Sequence, residues 1–230
     1  MDEFGARAAA VRSTVAAAAA RVGRDPISVT IIAVTKTFPL ATVVAAVAAG
    51  FGDVGENYVQ EARAKRAADS AATARWHLIG GLQRNKVRAA VATFDRLHTI
   101  DSIELAAAVA TAATGRATPL PILLQVNIAA DPAKRGVTPA AAETVAQKLL
   151  ALPALALDGL MTIGPATDDP TETRAHFRAL RQLRDDLARQ LGVEMPELSM
   201  GMSDDYTIAV EEGATLIRVG RALFGDRPVL

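Results

Sequence analysis

The chain has 230 residues, half of them hydrophobic, and its 25 Lys+Arg balance 25 Asp+Glu to a formal net charge of zero. That balance argues against nucleic acid or an anionic membrane as the main partner, since both call for a basic excess. Without cysteine, disulfides, cysteine metal sites and thiol chemistry are excluded, while the length and apolar share suffice for the core of one α/β barrel.

The opening segment, "MDEFGARAAAVRSTVAAAAARVGRD", reads as an alanine-rich helix to about Arg21. It lacks the basic start and clean apolar core of a signal peptide, and its uncharged stretch is too short to span a bilayer. A cytoplasmic protein without a membrane partner is expected. "SVTIIAVTK" is a nearly continuous apolar run rich in Val and Ile, as in a strand buried on both faces of a parallel sheet. Alternation follows: helix "LATVVAAVAAG", strand "FGDVGEN", helix "YVQEARAKRAAD", strand "RWHLIGG", helix "LQRNKVRAAVATF", strand "DRLHTID". Next come helix "SIELAAAVATAATG", with Ser102 placed as N-cap, strand "LPILLQVNIA", and a helix opened by Thr138 and Pro139. Strand "LALDGLMTIG", the longest helix "PTETRAHFRALRQLRDDLARQLG", strand "PELSMGM", helix "SDDYTIAVEEG" and strand "ATLIRVGRALFG" with its exit complete the chain. Eight strands, the first seven each followed by a helix, with no linker-like stretch between them, predict a single-domain (β/α)₈ TIM barrel over 1–230 with an extra N-terminal helix.

A barrel of this kind carries its chemistry at the C-terminal strand ends. Those ends hold Lys36; Glu56 and Asn57; His77 and Gly80; Thr99 and Asp101; Gln125 and Asn127; Met161 and Thr162; Ser199 through Ser203; and Arg218, Gly220 and Arg221. Polar strand ends are ordinary where a chain leaves its core, but this many at one mouth point to a site. Two readings of Lys36 stand side by side. Its amine can simply snorkel into water, or it can sit desolvated in the mouth, where a lowered pKa makes it a nucleophile for aldehydes. "SMGMSDD" and "RVGRALFG" supply small-residue loops after the last two strands, where barrels often bind phosphate. Ser203 can give a hydroxyl or cap the next helix. Asp204 and Asp205 are expected to point away from any anion. Arg218, inside an apolar strand, is either a structural ion pair or a permanent charge aimed into the mouth. His77, His98 and His176 are too scattered for a metal site, and His98 and His176 read as structural or surface residues.

Taken together, "AVTKTFP", "FGDVGENYVQEA", "WHLIGGLQRNKV", "HTIDS", "LLQVNIAADPAKRGV", "LDGLMTIGP" and "LSMGMSDDYTIAVEEGATLIRVGRALFG" resemble the pyridoxal 5′-phosphate homeostasis proteins, relatives of the alanine racemase barrel, from residue 33 to 225. The resemblance implies the type III fold of pyridoxal-phosphate proteins. It implies that Lys36 holds the cofactor as an aldimine, that Ser203, Gly220 and Arg221 hold its phosphate, and that Arg218 faces its pyridine nitrogen. Asn57 and Met161 match ring-pocket residues, and His77 lies in a matching motif near them. The implied role is to bind the cofactor reversibly and deliver it to apo-enzymes that depend on it, without established catalysis and as a monomer or weak dimer. A racemase-like enzyme is the alternative, and a lysine Schiff-base aldolase acting on a phosphosugar is a third reading that fits the barrel but not the long motifs. Racemases of this fold add a tyrosine base from another domain; here only Tyr58 and Tyr206 exist. Two positions depart from the family pattern: Phe38 stands where a lysine is common, and Arg135 where a small or polar residue is usual.

Overall fold

In the computed structural model, which describes residues 3–68, 73–164 and 167–226, the apolar runs pair as eight parallel strands in sequence order, β8 closing onto β1. The strands are β1 Thr30–Val34, β2 Asp53–Glu56, β3 Arg75–Leu78, β4 Arg96–Ile100, β5 Leu120–Gln125, β6 Leu155–Met161, β7 Glu197–Ser199 and β8 Leu216–Val219. Around them run α1 Glu3–Arg21, α2 Leu40–Ala48, α3 Val59–Ala68, α4 Val87–Thr93, α5 Ile103–Ala113, α6 Pro139–Leu150, α7 Pro170–Leu191, α8 Tyr206–Glu211 and α9 Arg221–Phe224.

Local chemistry sets the ends of the helices. Ser102 Oγ accepts from Leu105 N–H and Thr138 Oγ1 from Ala141 N–H, so both expected N-caps are made. Gly192, at φ 64°, terminates α7 in the left-handed conformation that a side chain disfavours. α1 buries Ala8, Val11, Val15, Ala18 and Ala19, a stripe at helical spacing, and packs on α8 and α9.

Two expectations need correction. β1 stops at Val34 rather than reaching Lys36. Thr37 takes φ 66° and Phe38 N–H bonds back to Thr35 O, so the chain turns before Pro39 and the lysine sits in the turn. The exit from β8 is also not a bare loop but the short helix α9, too brief to show any periodicity. Its Phe224 stacks on Phe4 of α1, ring centroids 5.4 Å apart, and meets Phe38 at 5.5 Å. Phe38, in place of an amine, thus joins an aromatic cluster that ties the turn after β1 to α9 and α1.

Inward positions recur every second residue along each strand. Ile32, Leu123, Met161 and Leu216 form an apolar cluster inside the barrel, apart from the larger core between strands and helices. Arg218 pairs in register with Ile32 and so shares its inward face. Toward the N-terminal end the interior is polar: Arg96 bridges Asp158 on β6 at 2.8 Å and Glu197 on β7 at 2.7 Å.

Candidate functional site

At the C-terminal mouth a cavity of about 250 Å³ is lined by Val34, Lys36, Asn57, Ile79, Met161, Ile163, Met202, Ser203, Asp204, Arg218, Gly220 and Arg221. A second hollow of about 320 Å³ adjoins it, sharing Val34, Lys36, Gly220 and Arg221 and adding Phe38, Gly225 and Asp226. Of the residues singled out in the sequence, Lys36, Asn57, Met161, Ser203, Arg218, Gly220 and Arg221 meet in the first cavity. They come from five strand ends and are separated by up to 185 positions in the chain.

The turn bearing Lys36 rests on buried charge. Lys65 of α3, almost fully enclosed, donates to Thr35 O at 2.8 Å, to Glu56 Oε1 at 2.7 Å and to Glu61 Oε1 at 2.7 Å. Thr35 Oγ1 donates to Glu56 Oε1, and Thr37 N–H donates to Glu61 Oε1 at 2.6 Å. Glu56, read from sequence as a mouth residue, is therefore a support beneath the turn. Its side chain is wholly buried, its Oε2 has no hydrogen-bond partner, and burial pushes its pKa up against the pull of Lys65. Asn57, one residue later, lies against the backbone of Gly80; a Cβ on Gly80 would come within 2.5 Å of Asn57 O, so only glycine allows this approach.

Across the mouth, Ser203 Oγ accepts from Ala222 N–H at 3.2 Å, joining the loop after β7 to the first turn of α9. It does not cap α8; Asp205 precedes that helix and its Oδ1 accepts from Met202 N–H at 2.6 Å. The expectation that both acids point away fails for Asp204, which lines the cavity and pairs through both carboxylate oxygens with Arg221. Both partners are more than half exposed, so a cation and its counter-ion stand together in water, where their attraction is weak.

Arg218 is enclosed, and among the described residues no carboxylate bonds to it directly. Its Nη1 donates to Ser199 Oγ at 2.7 Å and its Nη2 to Thr162 O at 2.8 Å. Burial lowers its pKa to about 10, with Asp205 opposing from a distance. The guanidinium is thus still charged at neutral pH. The structural-ion-pair reading does not hold for its immediate contacts, and the side chain reaches the cavity wall.

His77 does not line the cavity. It points into the barrel one layer lower, its Nε2 bonded to Asp53 at 2.8 Å and its Nδ1 to His98 at 2.9 Å. The next inward residue on its strand line, Ile79, lines the cavity instead. Several other polar strand ends hold loops: Thr99 Oγ1 donates to Gly80 O, Thr162 Oγ1 to Val126 O, Gln125 Nε2 to Arg135 O, and Asn127 Nδ2 to Asp131 O. Arg135 pairs with Asp101 at 3.1 Å. Neither Tyr58 nor Tyr206 is part of the cavity wall. Among the described residues no group of three or more His, Asp or Glu could hold a metal ion, and no helix is long and apolar enough to cross a membrane.

The family model of the alanine racemase N-terminal domain matches residues 7–228. The pyridoxal phosphate homeostasis protein of Pseudomonas aeruginosa is 40% identical over 227 residues, covering 99% of this chain and 97% of that one. PipY of Synechococcus elongatus PCC7942 superposes with a TM-score of 0.87 at 40% identity without PLP. With PLP bound it superposes at 0.86 and 39%. In both cases 97% of this chain and 100% of PipY are covered.

Proposed function

Since the chain belongs to the alanine racemase N-terminal domain family, and within it to the pyridoxal phosphate homeostasis proteins, we propose that it stores pyridoxal 5′-phosphate reversibly on Lys36 and releases it to apo-enzymes that need it. The donor set fits the cofactor. Lys36 brings an amine for an aldehyde, Ser203 and Arg221 a hydroxyl and an exposed guanidinium for a phosphate, and Val34, Ile79, Met161 and Ile163 the faces for a ring. The observation that carries the reading is their convergence in one cavity at the end of the barrel where such folds hold their ligands.

When bound, the cofactor supplies an aldehyde that condenses with amines. Lys36 would hold it there through its amine, in a reversible condensation that would release one water and need no oxidant or reductant. Ser203 and Arg221 bind the phosphate, with Gly220 leaving room for it. This requires Arg221 to exchange Asp204 for a more highly charged partner. Asn57 and Met161 bound the ring.

Arg218 decides what else the site can do. A guanidinium has no acceptor, so it cannot accept a proton from the pyridine nitrogen, and its charge disfavours a positive ring. The bound ring is then a weak sink for a carbanion. With no tyrosine on the cavity wall to act as a second base, removal of an amino acid's α-proton is slow. The proposed activity is therefore holding and transfer, not racemisation. The test is exchange of the α-proton of L-alanine in heavy water, followed by NMR on the loaded protein. The carrier reading expects no exchange on the scale of enzymatic turnover; exchange at roughly 1 per second or faster would establish a racemase-like enzyme instead.

A further inference from the structure

Asp53, His77, His98 and Ser199 come from β2, β3, β4 and β7 and are all buried. Together with Arg218 they form an unbroken line of contacts: Arg218 Nη1 to Ser199 Oγ at 2.7 Å, Ser199 Oγ to His98 Nδ1 at 2.9 Å, His98 Nε2 to His77 Nδ1 at 2.9 Å, and His77 Nε2 to Asp53 Oδ1 at 2.8 Å. Beyond Asp53 stands Arg75, 2.9 Å from its other oxygen and largely exposed at the N-terminal end of the barrel. The line thus crosses the interior from one end of the barrel to the cavity.

The two termini fix its direction. A guanidinium only donates and an ionised carboxylate only accepts. Burial raises the Asp53 pKa, but the bonds from His77 and Arg75 outweigh it and hold the group below its usual range, hence ionised. Ser199 Oγ accepts from Arg218, and with Asp53 taking the proton of His77 at the far end, neutral rings leave His98 Nδ1 as the acceptor of the Ser199 hydroxyl. His98 is then protonated on Nε2 and donates to His77 Nδ1, and His77, also protonated on Nε2, donates to Asp53. Each alternative leaves a buried group unmatched. An extra proton on either ring, or reversal of the line, strips the Ser199 hydroxyl of its acceptor. An extra proton also adds a buried cation near Arg96 and Arg218, and burial already holds both histidines toward the neutral form.

We infer that Asp53, His77, His98 and Ser199 are positioning residues for Arg218, forming a one-directional hydrogen-bond line that locks its guanidinium against the ring nitrogen of the bound cofactor. The inference rests on the reading, proposed above, that Arg218 faces that nitrogen. A line that served only to fill the barrel would need no fixed proton order and would act on every ligand of the cavity alike.

Two measurements test it. In the native, cofactor-free protein, ¹⁵N spectra of the histidine side chains should show His77 and His98 both neutral with the proton on Nε2 at pH 7; a proton on Nδ1 of either ring overturns the line. Ser199→Ala removes the acceptor of Arg218 Nη1, leaves that of Nη2 at Thr162 O, and does not touch the cavity wall. Affinities are compared for pyridoxal phosphate and for its analogue with carbon in place of the ring nitrogen, in native protein, Ser199→Ala and His98→Gln, whose amide keeps one donor and one acceptor. The expected result is about a tenfold loss of affinity for pyridoxal phosphate in Ser199→Ala, about 1.4 kcal/mol, unchanged affinity for the analogue, and a smaller loss in His98→Gln. Equal losses for both ligands reduce the line to a structural role and overturn the positioning inference. If the native protein fails to discriminate the two ligands, the ring-nitrogen reading is itself wrong, and the positioning inference falls with it. A Ser199→Ala chain that does not fold leaves the decision to the native-protein spectra and to His98→Gln.

Discussion

On the β1–β2 side of the mouth, the turn that carries Lys36 sits on Lys65, Glu56 and Glu61, with Glu56 and Lys65 almost completely buried. On the β7–β8 side, Arg221 and Asp204 pair with each other and are both largely in water. The first arrangement is costly to disturb, because either charge left alone would be buried and uncompensated. The second is cheap to rearrange, because water screens both partners before and after the exchange. On the proposed reading, the amine end is thus fixed in advance, while the end proposed to take the phosphate can swap one anion for another. A protein that must both grip and release a cofactor has use for that division.

The comparison breaks most severely at Lys65. Lys65→Met leaves the Glu56 carboxylate with only the Thr35 hydroxyl, and unfolding by denaturant should show a loss of about 3–5 kcal/mol. A loss below about 1 kcal/mol would mean that the buried side is no firmer than the exposed one. On the exposed side, Ser203→Ala with Arg221→Ala should leave the fold intact and weaken cofactor binding on the order of a hundredfold, as expected for two phosphate contacts. Native affinity in that variant would place the phosphate elsewhere.

Much of the barrel could be read from the chain because buried parallel strands and their covering helices leave a strong alternating signal, and because caps such as Ser102 and Thr138 are local. Lys36, Ser203 and Arg221 could be placed at the mouth from sequence because they follow closely on the ends of strands. What stayed hidden depends on depth and direction. His77 was placed at the mouth but bonds to Asp53 and His98 one layer below it, since a residue's place near a strand end does not give its side chain's distance from the mouth. Glu56 looked like a mouth group until Lys65, nine residues on, folded beneath it. The pairing of Asp204 with Arg221 joins two loops 17 residues apart, and no local pattern encodes it. Val34, Ile79 and Ile163 read only as strand residues, although the cavity uses them as its apolar wall.

The buried interior also predicts a pH response. His77 and His98 are both held below the ordinary value of 6.5, chiefly by burial, among Asp53, Arg75, Arg96 and Arg218. Below about 6.5 the unfolded chain takes up protons that the folded chain refuses. Stability is therefore full above that pH and declines as pH falls toward the folded-state values, by up to about 1.4 kcal/mol per pH unit for each proton. Denaturation curves from about pH 7.5 to 5.5 should show this decline for the native protein, and His98→Gln should remove part of the slope. A flat native profile in that window would contradict the buried, neutral state of the pair. The smallest effect is expected from Asp204→Asn. It frees Arg221 from its carboxylate and should tighten cofactor binding by about two- to fivefold at low salt, with less gain as salt rises. Weaker binding in that variant would show that Asp204 helps to hold the ligand rather than competing with it.

The central claim is that Lys36 is the covalent anchor. Its most direct test is borohydride reduction of the protein loaded with pyridoxal phosphate, followed by peptide mapping, beside Lys36→Ala. The truncation removes a half-buried turn side chain and should leave the fold unchanged. The expected result is a visible absorption band that reduction abolishes, an adduct on Lys36 alone, and neither band nor adduct in Lys36→Ala. An adduct on Lys65, Lys86 or Lys134, or an unchanged band in the variant, would contradict it.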